Sequence, residues 1–183
     1  SSSADLCHLS AAVTILFTDI SKIATDIRFL ASGPQGGIGE ITLKELQKGS
    51  SIMPGKINPV SPEAMNQIAF AITGKHMTIL QAAQNACLEL AVMFTVLADE
   101  LITTLKLATS GVLIFTDCIE TLQPNRDRAK ENLENSTAYA TILVPKLGYD
   151  VVTDIVKESI ASKKTIREIL VKKNLLADKS ILE

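Results

Sequence analysis

The sequence predicts an all-α protein: a bundle of long helices followed by a small helical C-terminal domain. Three observations carry this. Aromatic residues are only 4% of the 183 residues, Trp is absent, and Gly and Pro number nine and six. That is too few turn-formers and aromatics for a sandwich or barrel. Six of the Gly and four of the Pro fall between Gly33 and Pro62, so the flanking stretches are almost free of helix breakers. Apolar residues in those stretches recur at helical spacing.

The first helix is expected from about Ala4 to Ala31. Leu6, Leu9, Val13, Leu16, Ile20, Ile23, Ile27 and Leu30 alternate in steps of three and four, a strict heptad seam over about 42 Å of helix. Ser32-Gly33-Pro34 stops it. Residues 33–61 form a long loop, with one short helical turn expected near Leu43 to Gln47. A second helical stretch opens at Ser61-Pro62-Glu63, with Ser61 as N-cap and Pro62 at the first helical position. It continues to about Leu122, with a possible kink at Gly74 and a bend or turn between Asn85 and Phe94. Its second half carries a seam at Leu101, Leu105, Ala108, Val112, Phe115, Ile119 and Leu122.

Charge density then divides the chain. Residues 64–123 hold seven charged side chains, and residues 124–183 hold twenty. We place a domain boundary at Pro124: residues 1–123 as the long-helix bundle, 124–183 as the small helical domain. Within the latter, Asn125 caps a helix to about Ser136, another runs from Val151 to Ala161, and Thr165-Ile166-Arg167-Glu168 is a capping box. Asp178 caps a last short helix. The stretch Ala64 to Ala98 carries only Lys75 and Glu89 as charges. A helix without a solvated face must be buried on all sides, and three helices cannot cover one another so completely. A bundle completed by other subunits is therefore expected.

Composition excludes other classes. A net charge of −2 does not suit a strongly basic nucleic-acid binder, and 46% hydrophobic residues do not suit a disordered chain. No run reaches 18 apolar residues, so no membrane span is expected, and no signal-peptide pattern opens the sequence. Cys7, Cys87 and Cys118 lack metal-ligand spacing and read as reduced thiols in an apolar interior, in keeping with a cytoplasmic protein. No metal and no cofactor is expected. His8 and His76 read as ordinary helical residues.

The chemistry lies in Gly49-Ser50-Ser51-Ile52-Met53-Pro54-Gly55-Lys56-Ile57-Asn58-Pro59. Two hydroxyls, an ammonium, an amide and glycine-exposed backbone N–H groups within nine residues suit a carboxylate or phosphate. Taken alone, they would equally suit a flexible linker.

This stretch resembles the signature of the aspartase/fumarase superfamily, G-S-S-x-x-P-x-K-x-N-P, at every fixed position. Asp26-Ile27-Arg28, Leu30-Ala31-Ser32-Gly33-Pro34, Gly37-Ile38-Gly39-Glu40-Ile41 and Leu147-Gly148-Tyr149 are similar to the family too. The resemblance implies an anti-elimination beside a carboxylate that releases fumarate. It implies Ser50 as general base, Ser51 as a substrate contact, and Lys56 and Asn58 on the substrate carboxylate. It also implies that Glu63 orients a histidine of another subunit, in a homotetramer with shared active sites. Within the family, Pro62-Glu63-Ala64-Met65-Asn66-Gln67, Leu88-Glu89-Leu90 and Ile166-Arg167-Glu168-Ile169 lean to the aspartate ammonia-lyase branch, with fumarate hydratase as the alternative. Gln35, Ala91, Phe94-Thr95 and Val144 depart from the family's usual residues. The chain also resembles only the C-terminal part of such enzymes, since the regions that precede the signature, including the histidine-bearing one, are not in it. It is therefore expected to be inactive alone. A reading from another class is a non-catalytic helical oligomerisation module that keeps the loop as an anion-binding relic.

Overall fold

The computed structural model describes residues 3–33, 36–47, 49–50, 52–53 and 55–175. It is all-α, with seven α-helices among the described residues and one two-stranded ladder of two residues each. The chain falls into two compact units, Ser1–Pro124 and Asn125–Glu183.

The first unit is built from α1 (Ala4–Leu30), α2 (Val60–Gln84) and α3 (Phe94–Thr121). Side-chain pairings give their directions. Ser10 meets His76 while Arg28 meets Asn66, so α1 and α2 run antiparallel. Lys75 meets Glu100 while Ile68 lies against Gly111, so α2 and α3 are antiparallel as well. α2 passes unbroken through Gly74, and the expected interruption is the non-helical segment 85–93.

The buried face of α1 is not the whole predicted seam. Ser10, Phe17, Ala24 and Ile27 are buried, whereas Leu9, Leu16 and Ile23 are exposed. The same holds on α3, where Leu101, Ala108 and Phe115 are buried together with Leu97, Thr104, Gly111 and Cys118, and Leu105, Val112 and Ile119 are exposed. A three-four alternation marks two adjacent stripes of a helix, and this chain's own helices cover only one of them. Phe17, Met65, Ile72 and Phe115 anchor the principal core, and Ile79, Leu97 and Leu101 a second at the other end. Each such side chain contributes roughly 1.5–3 kcal/mol on leaving water. Gly111 lets helices approach closely, since a Cβ there would meet Ile68 at 3.1 Å.

Three local expectations are corrected. No helical turn forms near Leu43 to Gln47: residues 43–46 are extended or irregular and Gln47 lies in a bend. The cause is anchorage. Ile41–Thr42 (β1) pairs antiparallel with Gln123–Pro124 (β2), Leu43 enters the core, and Lys44 approaches Asp117 at 3.7 Å. The cap of α2 is Pro59 rather than Ser61, which is buried inside the first turn. Pro62 is accommodated there because first-turn N–H groups have no intrahelical acceptor. Cys87 is exposed, unlike half-buried Cys7 and buried Cys118, because it sits in the segment between helices.

The second unit packs Leu143, Ile155, Ile166, Ile169 and Leu170 into its own core. Asn125 caps α4 (Arg126–Asn135) by accepting from the Arg128 N–H. A 3-10 helix (Thr137–Leu143) and α5 (Val144–Leu147) lead to α6 (Tyr149–Ser162), which starts two residues earlier than expected because Gly148 turns the chain at φ 82°. The Thr165 capping box is complete at α7 (Ile166–Lys172). Asp178 lies outside the described residues.

Candidate active site

The loop between α1 and α2 is positioned at both ends. At its start the Glu40 N–H donates to the Leu30 carbonyl at 2.9 Å, and the Ile38 N–H donates to the Ser32 hydroxyl at 3.1 Å. At its end, Pro59 leads directly into α2.

Ser50 is half-buried within this loop. Its Oγ accepts two backbone N–H groups, those of Ile52 and Met53, each at 3.1 Å. Two convergent donors on one oxygen favour negative charge on it, the requirement for a serine that must act as a base. The Asn58 side-chain amide donates to the Gly49 carbonyl at 2.8 Å, which fixes the position of the residue next to Ser50.

Lys56, Asn58 and Glu63 are brought together. They line one cleft of 360 Å³ with Arg28, Phe29 and Ser32. Its volume and mixture of charged and backbone groups suit a small polar ligand. Asn58 and Glu63 also face an adjoining cleft of 510 Å³ that includes Gln67 and Leu107. Ser51 lies outside the described residues. Among the described residues no group of three or more His, Cys, Asp or Glu is placed to hold a metal ion.

Two side chains without a role in the sequence reading complete the site. Arg28 lies 4.0 Å from Glu63 and donates to Asn66 at 3.0 Å. Asn66 is buried and donates to the Ser21 carbonyl, the Ser21 hydroxyl and the Thr25 hydroxyl at 2.8–3.1 Å. The Asn66-Gln67 pair that marked a family branch thus divides its work. Asn66 anchors helices behind the site, and Gln67 faces a cleft. The available signal for Arg28 was its place directly after Ile27, the last buried residue of α1.

Comparison with known proteins agrees with this architecture. Residues 1–74 match the family described as lyase, and residues 140–183 match the fumarase C C-terminus. An aspartate ammonia-lyase of Bacillus sp. is 39% identical over 96% of this chain and 38% of the relative. A class II fumarate hydratase of Brucella suis is 40% identical over 88% of this chain and 35% of the relative. Recombinant class II fumarase of Schistosoma mansoni superposes with a TM-score of 0.89 at 33% identity, covering 100% of this chain and 39% of that one. The chain therefore spans well under half the length of these relatives. With the signature loop, the three long helices and these matches in agreement, the chain belongs to the aspartase/fumarase superfamily.

Proposed function

We propose that this chain supplies the base loop of a lyase acting on a small dicarboxylate or amino-acid dicarboxylate, and that the substrate is L-aspartate. The observation that carries the reading is the Ser50 oxygen held by two backbone amides, in the same loop whose Lys56 and Asn58 line a cleft with Glu63.

The hard step is taking a proton from the carbon next to a carboxylate that is already charged. Ser50, as its alkoxide, accepts that proton on Oγ. The two amide donors that now hold the hydroxyl lower the cost of the alkoxide. The released electron pair moves into the adjacent carboxylate, giving a dianion that Lys56 and one remaining Asn58 N–H can hold. The pair then returns to form the carbon–carbon double bond, the bond to nitrogen breaks, and fumarate and ammonia leave. Glu63 sits at the first turn of α2 and orients the partner-subunit histidine that the resemblance implies.

Hydration of fumarate to malate is the second reading. Class II fumarate hydratases match at the same level of identity as aspartate ammonia-lyases, and the proton abstraction is the same in both. We further propose a cytoplasmic homotetramer with shared active sites, and that this 183-residue chain alone does not turn over substrate.

The test is fumarate absorbance with aspartate and with malate, on the protein at the full length of its relatives. Fumarate from aspartate supports the first reading, and fumarate from malate alone moves the assignment to the hydratase. Neither product supports the non-catalytic module. Ser50→Ala is expected to abolish turnover while keeping substrate binding, because a base acts only in proton transfer.

A further inference from the structure

We propose that Arg28 is a positioning residue for Glu63, and that it does so because Asn66 holds it from behind; the inference rests on the role proposed above for Glu63. The observations form a chain through three elements. Asn66 is 5% exposed and spends its amide on α1, at the Ser21 carbonyl, the Ser21 hydroxyl and the Thr25 hydroxyl. Its Oδ1 is left facing Arg28 and accepts from Nη1 at 3.0 Å. The guanidinium is planar, so fixing one nitrogen fixes the direction of the other. Nη2 then lies within ion-pair reach of Glu63, 4.0 Å from its Oε1, without a direct hydrogen bond.

A carboxylate at a helix start can swing through several rotamers, and each would present a different oxygen to the cleft. A cation beside it on the same cleft wall favours one. Arg28 and Glu63 are both close to 40% exposed, so the pair adds little to stability. Its consequence is direction rather than energy: it holds the carboxylate on the cleft shared with Lys56 and Asn58. Lysine cannot do the same, because one ammonium on a flexible stem cannot serve Asn66 and Glu63 in a fixed fork.

The experiment uses the protein at the full length of its relatives, with Arg28→Gln, Arg28→Lys, Glu63→Gln and the Arg28→Gln/Glu63→Gln double variant. Arg28→Gln is expected to lower kcat by roughly tenfold to a hundredfold, as a misplaced group does, with KM within about twofold of the parent. Arg28→Lys should recover little of the loss, because one ammonium cannot hold both Asn66 and Glu63. The double variant should be no slower than Glu63→Gln alone, since Arg28 then has nothing to orient. A crystal structure of Arg28→Gln should show the Glu63 carboxylate turned from its present position while Lys56 and Asn58 stay. Additive losses, a rise in KM instead of a fall in kcat, or a Glu63 carboxylate unmoved in that structure would each overturn the proposal. If Glu63→Gln alone leaves turnover intact, the role given to Glu63 falls, and the crystal structure still decides whether Arg28 sets its direction.

Discussion

The Asn58 amide and the Gly49 carbonyl, nine residues apart, are joined at 2.8 Å. This bond closes the signature loop on itself, so that Ser50 leaves the closure point immediately and turns back onto the Ile52 and Met53 amides. One Asn58 N–H is used in the closure. The other, with the Lys56 ammonium, remains for a ligand carboxylate, so a structural and a binding role fit on one side chain.

Gly49 is required by that closure. A Cβ on Gly49 would overlap the carbonyl oxygen of Lys56, a backbone atom that cannot rotate away. Gly49→Ala should therefore open the loop and displace Ser50. In the protein at the full length of its relatives, kcat is expected to fall by about a hundredfold or more. Thermal stability should move by no more than about 1 kcal/mol, because none of the described residues of the loop tip is buried. Turnover near that of the parent would show that the closure is dispensable.

The long helices and the loop were legible because their signals are local. Breakers crowd between Gly33 and Pro62, and the loop's residue types repeat a specific signature. The buried side of each helix was not legible. Leu16 and Phe17 both continue a heptad pattern, and only the helices placed against them decide that Phe17 is buried and Leu16 exposed. The extended run at Leu43 depends on a pairing with residues some eighty positions away, which no window on the sequence contains. Arg28 is similar. Its neighbours are Asn66 and Glu63, on another helix. Its meaning comes from three dimensions.

Thr104 offers a test of the bundle's polar accounting. It is fully buried on α3, and its Oγ1 has no hydrogen-bond partner among the described residues. An unsatisfied buried hydroxyl costs about 1–3 kcal/mol. Thr104→Val keeps the shape and removes the hydroxyl, so it should raise stability by about 1 kcal/mol in chemical denaturation. Thr104→Ser keeps the hydroxyl and removes a methyl, so it should destabilise by a similar amount. A loss of stability in Thr104→Val would mean that the hydroxyl does find a partner.

The three cysteines should react in a fixed order. Burial pushes the Cys118 thiol above its ordinary pKa, and the negative charge of Asp117 adds to the shift. The thiolate is the reactive form, so both access and ionisation protect Cys118. Under native conditions near pH 8, iodoacetamide should modify exposed Cys87 first and Cys118 last, as followed by peptide mass mapping. Denaturant should remove the difference. Asp117→Asn removes only the smaller cause, so Cys118 should stay slow. Rapid native labelling of Cys118 would show that this end of the bundle opens.

Assembly is decided by what covers the second stripe of each seam. Leu9, Leu16 and Ile23 on α1 are 44%, 52% and 48% exposed, and Leu105, Val112 and Ile119 on α3 are 38%, 43% and 47% exposed. Both sets recur every seven residues, the spacing of a helix–helix seam. Lipid is one conceivable cover, since α1 and α3 are long and apolar enough to cross a membrane. Yet Asp19 and Lys22 lie near the middle of α1, and Lys106 near the middle of α3. Charges near the centre of a lipid-exposed helix cost about 2.5–3.5 kcal/mol each. Other helices are the better cover, and closed symmetry is the ordinary way to supply them. Light scattering should report a tetramer for the protein at the full length of its relatives and at least a dimer for this chain. Leu16→Glu and Val112→Glu together should drive either one toward monomer, because each places a charge in a seam. A parent protein that is monomeric at micromolar concentration and binds no hydrophobic dye would count against this assembly, since the two stripes would then be covered within one chain.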